Sequence, residues 1–312
     1  MHTPPIKETA SDNTWGRREF VSTVITAVGA SALSLTSITG FAENSYLPNK
    51  GLTSQQVIDL ILKSIPGAPF KQTVDTIKAG NPNQPVTGIV TTMFATIDVI
   101  KKTVALGANF IIAHEPTFYN HPDETAWLEK DEVYKFKTDL LKTHNIVVWR
   151  CHDYLHAHQP DGVMMGVLTA LGWQKYYNAQ KPYVLTIEPA SLQSIIDLAK
   201  KKLGIAHLKF IGDKLQQCSR IALIPGAAGG TLQISSFQKE KPDLLICGEV
   251  REWETSEYVR DLRSSGSKAA LLVLGHIVSE EPGLEWMVKW LQPQIPDIKI
   301  THIPSTDAFQ WG

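Results

Sequence analysis

Six residues in three short stretches have the types and spacing that hold metal ions: His114-Glu115, His152 with His156, and His276 with Glu280. Imidazole and carboxylate donors together are the common ligands of zinc and of manganese- or iron-type paired sites. A carboxylate between two cations can bridge them, and a water shared by the pair becomes a hydroxide nucleophile near neutral pH. Each stretch also has a plainer explanation. A single His after a buried strand is more often a surface or capping residue, and Glu280 can serve as a first-turn carboxylate at a helix start. Three histidines between residues 152 and 158, beside Asp153 and Asp161, are a dense grouping for a chain with 10 His in all.

These residues act together only if the fold brings them together, and the apolar pattern says how. Runs at 87–92, 108–113, 145–151, 220–224, 243–247, 269–274 and 298–302 read as buried strands. Helical segments lie at 97–106, 130–143, 162–171, 192–202, 255–264 and 284–291, and 52–65 reads as an amphipathic helix capped by Thr53 or Ser54. Strands alternating with helices of this length predict an α/β protein with mostly parallel sheet. His114-Glu115-Pro116, His152-Asp153, Gly248-Glu249 and Gly275-His276 each follow the carboxyl end of a predicted strand. In a parallel sheet those ends share one edge, where such folds place their ligand sites. Pro282 favours a helix start, which puts His276 and Glu280 on the turn leading into it. Residues 182–189 read as a connection or edge strand opening a second lobe. The turn Pro225-Gly226-Ala227-Ala228-Gly229-Gly230 reads as tight strand-to-helix packing in preference to a phosphate loop, because no Lys-Ser/Thr follows.

At 312 residues the chain can bury one large core or two ordinary ones. Its hydrophobic content of 43% and charged content of 20% fit a globular protein, not a disordered chain or a membrane bundle. A formal net charge of −1, with no block of like charges, argues against nucleic acid as a partner. Cys151, Cys218 and Cys247 are odd in number, so a disulfide scaffold is not expected. The leader ends in Gly16-Arg17-Arg18-Glu19-Phe20, and residues 20–42 then carry no charge. That pattern resembles a twin-arginine export signal with a cleavage point after Ala42. The expectation is an exported, periplasmic protein with no stable membrane anchor once the signal is removed. An uncleaved anchor is the alternative.

Taken in order along the chain, these segments resemble the NGG-interacting-factor-three-like family, also called dinuclear metal-centre hexameric proteins. Some of its members are labelled GTP cyclohydrolase 1 type 2. Thr87-Gly88-Ile89 through Asp98, then Ala113-His114-Glu115-Pro116, is similar to the family's first strand, helix and His-His-Pro segment. Cys151-His152-Asp153-Tyr154-Leu155-His156-Ala157 stands where the family has His-x-x-x-Asp-Ala, and Gly248-Glu249 and Asp307-Ala308-Phe309 match C-terminal segments. Gly275-His276-Ile277-Val278-Ser279-Glu280 is the most specific piece. Two positions depart: the family's second His is Glu115, and its Asp is His156. Ser256 also stands where the family has a His.

The resemblance implies two interlinked α/β lobes with mostly parallel sheets, with the metal site at the strand carboxyl ends. Residues 1–42 are expected as the signal, 43–180 with 265–312 as the lobe carrying the ligands, and 181–264 as the second lobe. It implies two divalent ions (zinc, manganese, iron or nickel) held by His114, Glu115, His156, His276 and Glu280, in a homo-oligomer expected to be a hexamer. As a hydrolase, such a protein attacks a phosphate ester or a nucleotide-like ring C–N bond through a metal-bridging hydroxide. Glu280 is then catalytic, and His152 orients a ligand. The small-molecule substrate is not implied. The alternative is a metal-binding hexameric scaffold without turnover.

Overall fold

Short runs buried on both faces, such as Ile89–Thr92 and Phe110–Ala113, form the centres of two five-stranded sheets. Continuous burial of this kind marks parallel strands covered by helices on each side. The computed structural model describes residues 51–310, and the expected export signal lies outside them.

The first sheet is built from β1 (Ile77–Ala79), β2 (Ile89–Thr92), β3 (Phe110–Ala113), β4 (Val147–Arg150) and β10 (Ile300–His302), in the spatial order β1-β4-β3-β2-β10. Only β1 is antiparallel to its neighbour. The second sheet uses β5 (Val184–Ser191), β6 (Lys209–Ile211), β7 (Gln217–Ile224), β8 (Leu244–Cys247) and β9 (Ala270–Val273), in the order β5-β7-β8-β9-β6. Its centre is parallel and both edges are antiparallel. The mixed α/β class expected from the sequence is therefore what forms. β9 pairs within the second sheet, so the chain returns to the first only after residue 273, later than the expected boundary at 265.

Helices join the strands: α1 (Ser54–Lys63), α2 (Ile97–Ala105), α3 (Glu132–Thr143), α4 (Asp153–Ala157), α5 (Gly162–Leu171), α6 (Leu192–Leu203), α7 (Gly230–Glu240), α8 (Glu257–Ser264) and α9 (His276–Leu291). Local chemistry starts several of them. Thr96, Asp131 and Asp161 each accept a backbone N–H from the first turn that follows. Thr53 and Gln56 form a reciprocal capping box on α1.

Pro282 does not start the last long helix; it lies inside α9, which begins at His276. Proline there removes one backbone hydrogen bond. The helix is held instead by its surroundings. Ser279 Oγ donates to the His276 carbonyl and accepts from Gly226 N–H, at 2.8 and 2.9 Å. Thr91 of β2 donates to the Leu284 carbonyl at 3.0 Å. α5 packs so tightly on α9 that a Cβ at Gly166 would overlap the backbone of Pro282 and Gly283. Tertiary packing thus overrides the proline's local preference, and His276 and Glu280 lie one helical turn apart on one face.

The glycine-rich turn after β7 is a packing device, as its sequence suggests. A Cβ at Gly248 would meet Gly226 N and Ser279 Oγ at 2.5 Å. The positive end of α7 is taken by Glu254, whose Oε2 accepts from Gly230 N–H at 3.1 Å.

Candidate metal centre

The carboxyl ends of strands from both sheets meet at one buried cluster. They belong to two sheets, not to the single edge expected from the sequence. β3 delivers His114 and Glu115, and β4 delivers Cys151 and His152, with His156 one turn further on in α4. From the second sheet, β8 delivers Glu249. β9 delivers His276 through Gly275, whose φ of 101° lets the chain turn directly into α9.

His114, Glu115, His152 and Glu280 are buried, and His156 and His276 are nearly so. His276 Nε2 lies 3.2 Å from Glu115 Oε1 and 3.1 Å from Glu280 Oε2. Glu280 Oε2 is also 3.4 Å from His114 Nε2, and its Oε1 is 3.9 Å from His156 Nε2. His152 Nε2 stands 3.8 Å from Glu115 Oε1. All five residues expected as ligands are brought together, with His152 among them. Two triads have donor atoms mutually within 4.8 Å: His114, His152 and His156, and His114, Glu115 and Glu280.

The opposite ring nitrogens are all engaged. His114 Nδ1 meets the Cys151 carbonyl at 3.1 Å, His152 Nδ1 meets Asp153 at 2.9 Å, and His156 Nδ1 meets Asp161 at 3.0 Å. His276 Nδ1 lies 3.6 Å from Glu249. An acceptor behind Nδ1 fixes the tautomer with its lone pair on Nε2, the arrangement behind most histidines that ligate metals. His114 Nε2 is moreover buried with no hydrogen-bond partner. An orphaned buried nitrogen facing carboxylates is costly unless something cationic shares the space. The donor set therefore fits a divalent ion.

Electrostatics agree. Burial alone would lower His276, but hydrogen bonds to Glu115, Glu249 and Glu280 reverse that and raise it to about 12. Burial likewise opposes ionisation of Glu115, yet the His276 contact and the nearby His152 and His114 hold it below the ordinary carboxylate range. His152 is pushed down to about 3, chiefly by burial, so its ring is neutral near pH 7. A metal ligated by His276 must displace that residue's proton. Affinity is expected to rise with pH, about tenfold per unit for each proton released. Chelator competition between pH 6 and 8 checks this, and an affinity flat across that range would refute it. Without metal the sign is opposite: His276 rises from 6.5, so its contribution to stability is full below that value and is lost as pH climbs through about 12.

Two supporting residues gave no readable signal in sequence, and a third gave only its position. Arg150 is fully buried and donates to the carbonyls of His114 and His121 and to Glu115 Oε2, the last at 3.3 Å. Asp75 accepts backbone N–H groups of His152 and Tyr154, each at 2.8 Å, and its carboxyl is raised to about 7, mainly by burial. Glu249 stood in a matched segment, but without a role assigned to it.

The model of the Duf34/NIF3 family (NGG1p interacting factor 3) matches residues 57–308. A Chlamydia pneumoniae protein named GTP cyclohydrolase 1 type 2 homolog is 28% identical over 244 residues, covering 75% of this chain and 90% of the relative. A homolog of the same name from Clostridium perfringens is 26% identical over 237 residues, covering 72% and 86%. Among solved structures, a Bacillus cereus protein related to NIF3 superposes with a TM-score of 0.69 at 14% identity, over 84% of this chain and 99% of that one. That likeness shows a shared fold.

Proposed function

The chain belongs to the Duf34/NIF3 family, and from that premise we propose that it holds two divalent metal ions and hydrolyses a phosphate ester or a nucleotide-like ring C–N bond. The observation that carries the reading is the convergence of four Nε2 atoms and two glutamates, with His114 Nε2 orphaned in their midst. His114, Glu115, His156, His276 and Glu280 are the proposed ligands. Divalent ions held there would supply Lewis acidity and lower the pKa of water toward neutrality.

The chain's own groups do the rest. Asp153, Asp161, Glu249 and the Cys151 carbonyl hold the imidazoles in one tautomer. Arg150 occupies one oxygen of Glu115 and leaves the other facing His276. Glu280, buried and in reach of three imidazoles, sets its two carboxyl oxygens where positive charge is to be held. The names of the curated relatives support a nucleotide-like substrate, and the family supports a homo-oligomeric, hexameric assembly. Among the described residues no helix is long and apolar enough to cross a membrane. Export through the twin-arginine route to the periplasm is part of the same proposal.

The test is direct. Purified protein is expected to carry near two equivalents of metal by elemental analysis and, once loaded, to cleave at least one member of a panel of phosphate esters and nucleotides. A fully metallated protein inert across that panel would leave the scaffold alternative, and a metal-free protein that refuses zinc, manganese, iron and nickel would end the metal reading.

A further inference from the structure

The two departures from the family pattern change which side of the centre is nitrogen-rich. With Glu at 115 and His at 156, the histidines at 114, 152 and 156 form a group of their own. Their ring centroids lie 4.8 Å apart for 114 and 152, 5.1 Å for 114 and 156, and 5.0 Å for 152 and 156. On the other side stand Glu115, Glu280 and His276, with Glu249 behind the last. Glu280 faces both groups, through Oε2 toward His276 and through Oε1 toward His156.

His152 is the residue whose role this alters. A histidine that merely orients a ligand spends a ring nitrogen hydrogen-bonding to it. Here the Nδ1 of His152 turns outward to Asp153, and its main-chain N–H is tied to Asp75. The Nε2 that remains points at Glu115 and stands in the same triad as His114 and His156. In all three imidazoles Nδ1 is engaged outward, and Nε2 is the ring nitrogen left facing the centre.

Resting on the metal-binding reading above, we propose that His152 is itself a ligand, completing with His114 and His156 a three-nitrogen position distinct from the carboxylate-rich one at Glu115, His276 and Glu280. The positions then differ in preference. Imidazole suits zinc, nickel and iron, whereas carboxylate suits manganese and magnesium. The centre discriminates between its two ions, and His152 sets that discrimination.

The experiment uses the full chain, stripped of metal and titrated with zinc and with manganese, as wild type and as His152→Asn. Asparagine keeps a donor toward Asp153 but lacks the inner nitrogen. Wild type is expected to bind one zinc ion much more tightly than manganese, with about three nitrogen neighbours around that zinc by X-ray absorption. His152→Asn is expected to lose more than ~100-fold in zinc affinity, beyond the ~10–100-fold typical of an orienting residue, while manganese binding changes little. A zinc affinity within tenfold of wild type, or an unchanged nitrogen count, would overturn the proposal and leave the metal centre standing. No binding of either ion by wild type would remove the centre itself. Far-UV circular dichroism separates all of these from misfolding.

Discussion

Glu280→Ala is expected to leave the protein with almost no bound metal, the largest loss any single side chain here should cause. Glu280 is fully buried, and its two oxygens lie 3.1 to 3.9 Å from Nε2 atoms of His276, His114 and His156. Its oxygens reach His114 and His156 of the imidazole triad as well as His276 on the carboxylate-rich side, so its removal weakens both positions at once. Affinity should fall well beyond the ~10–100-fold that follows loss of an outer partner. Glu280→Gln is the sharper version, because it keeps the shape and deletes only the charge. Elemental analysis after dialysis should show both variants near zero while wild type stays loaded, with circular dichroism unchanged. A fully metallated Glu280→Gln would remove this residue from the site and leave Glu115 as the principal carboxylate.

Gly166→Ala is expected to destabilise the fold by ~3 kcal/mol or more, the upper range for overpacking, because the added methyl meets main chain that cannot swing aside. The obstruction is the backbone of Pro282 and Gly283 in α9, and a Cβ at Gly283 would in turn stand 2.8 Å from Val163 Cα. For a chain of this size such a loss lowers Tm by roughly 6–12 °C. Thr169→Ala, exposed on the same helix, should shift stability by no more than ~0.5 kcal/mol. Calorimetry decides. A Gly166→Ala Tm within 2 °C of wild type would mean that α5 and α9 can part at little cost. Because α9 carries His276 and Glu280, the variant should also bind metal more weakly than its residual stability alone suggests.

The central strands were legible because burial on both faces leaves unbroken apolar runs: Phe110–Ala113, Val147–Arg150 and Leu244–Cys247 all fall inside runs marked by sequence alone. The edge strands β1 and β6 were not, since their three residues are only partly buried and carry lysines in place of an unbroken apolar run. The start of α9 was misread because Pro282 has a strong local preference, while what overrides it, Ser279 against Gly226 and Gly166 against the helix backbone, is long-range. The meeting of His114, Glu115, His156, His276 and Glu280 could be argued from strand ends. That the ends belong to two sheets could not, because pairing partners are not written in periodicity. Arg150 ends a strand and reads as an ordinary exposed charge, and Asp75 sits in a polar stretch, so neither announced its burial. His152 was noticed, but which of its nitrogens faces inward is a matter of geometry alone.

The helix α9 is pinned at both flanks, by Ser279 to the turn after β7 and by the Leu284 carbonyl to Thr91 of β2. This has a bearing on the order of assembly. Glu115 and His276 are 161 residues apart along the chain, and the helix bearing His276 settles only when both sheets are there to receive it. Closing so long a loop is entropically slow and comes after local pairing. A growing or half-folded chain therefore offers at most His114, Glu115, His152 and His156 from the first sheet, never the full cage. Completion of the proposed metal centre would in this sense be a proofreading step, since only a molecule whose two sheets have docked can reach it.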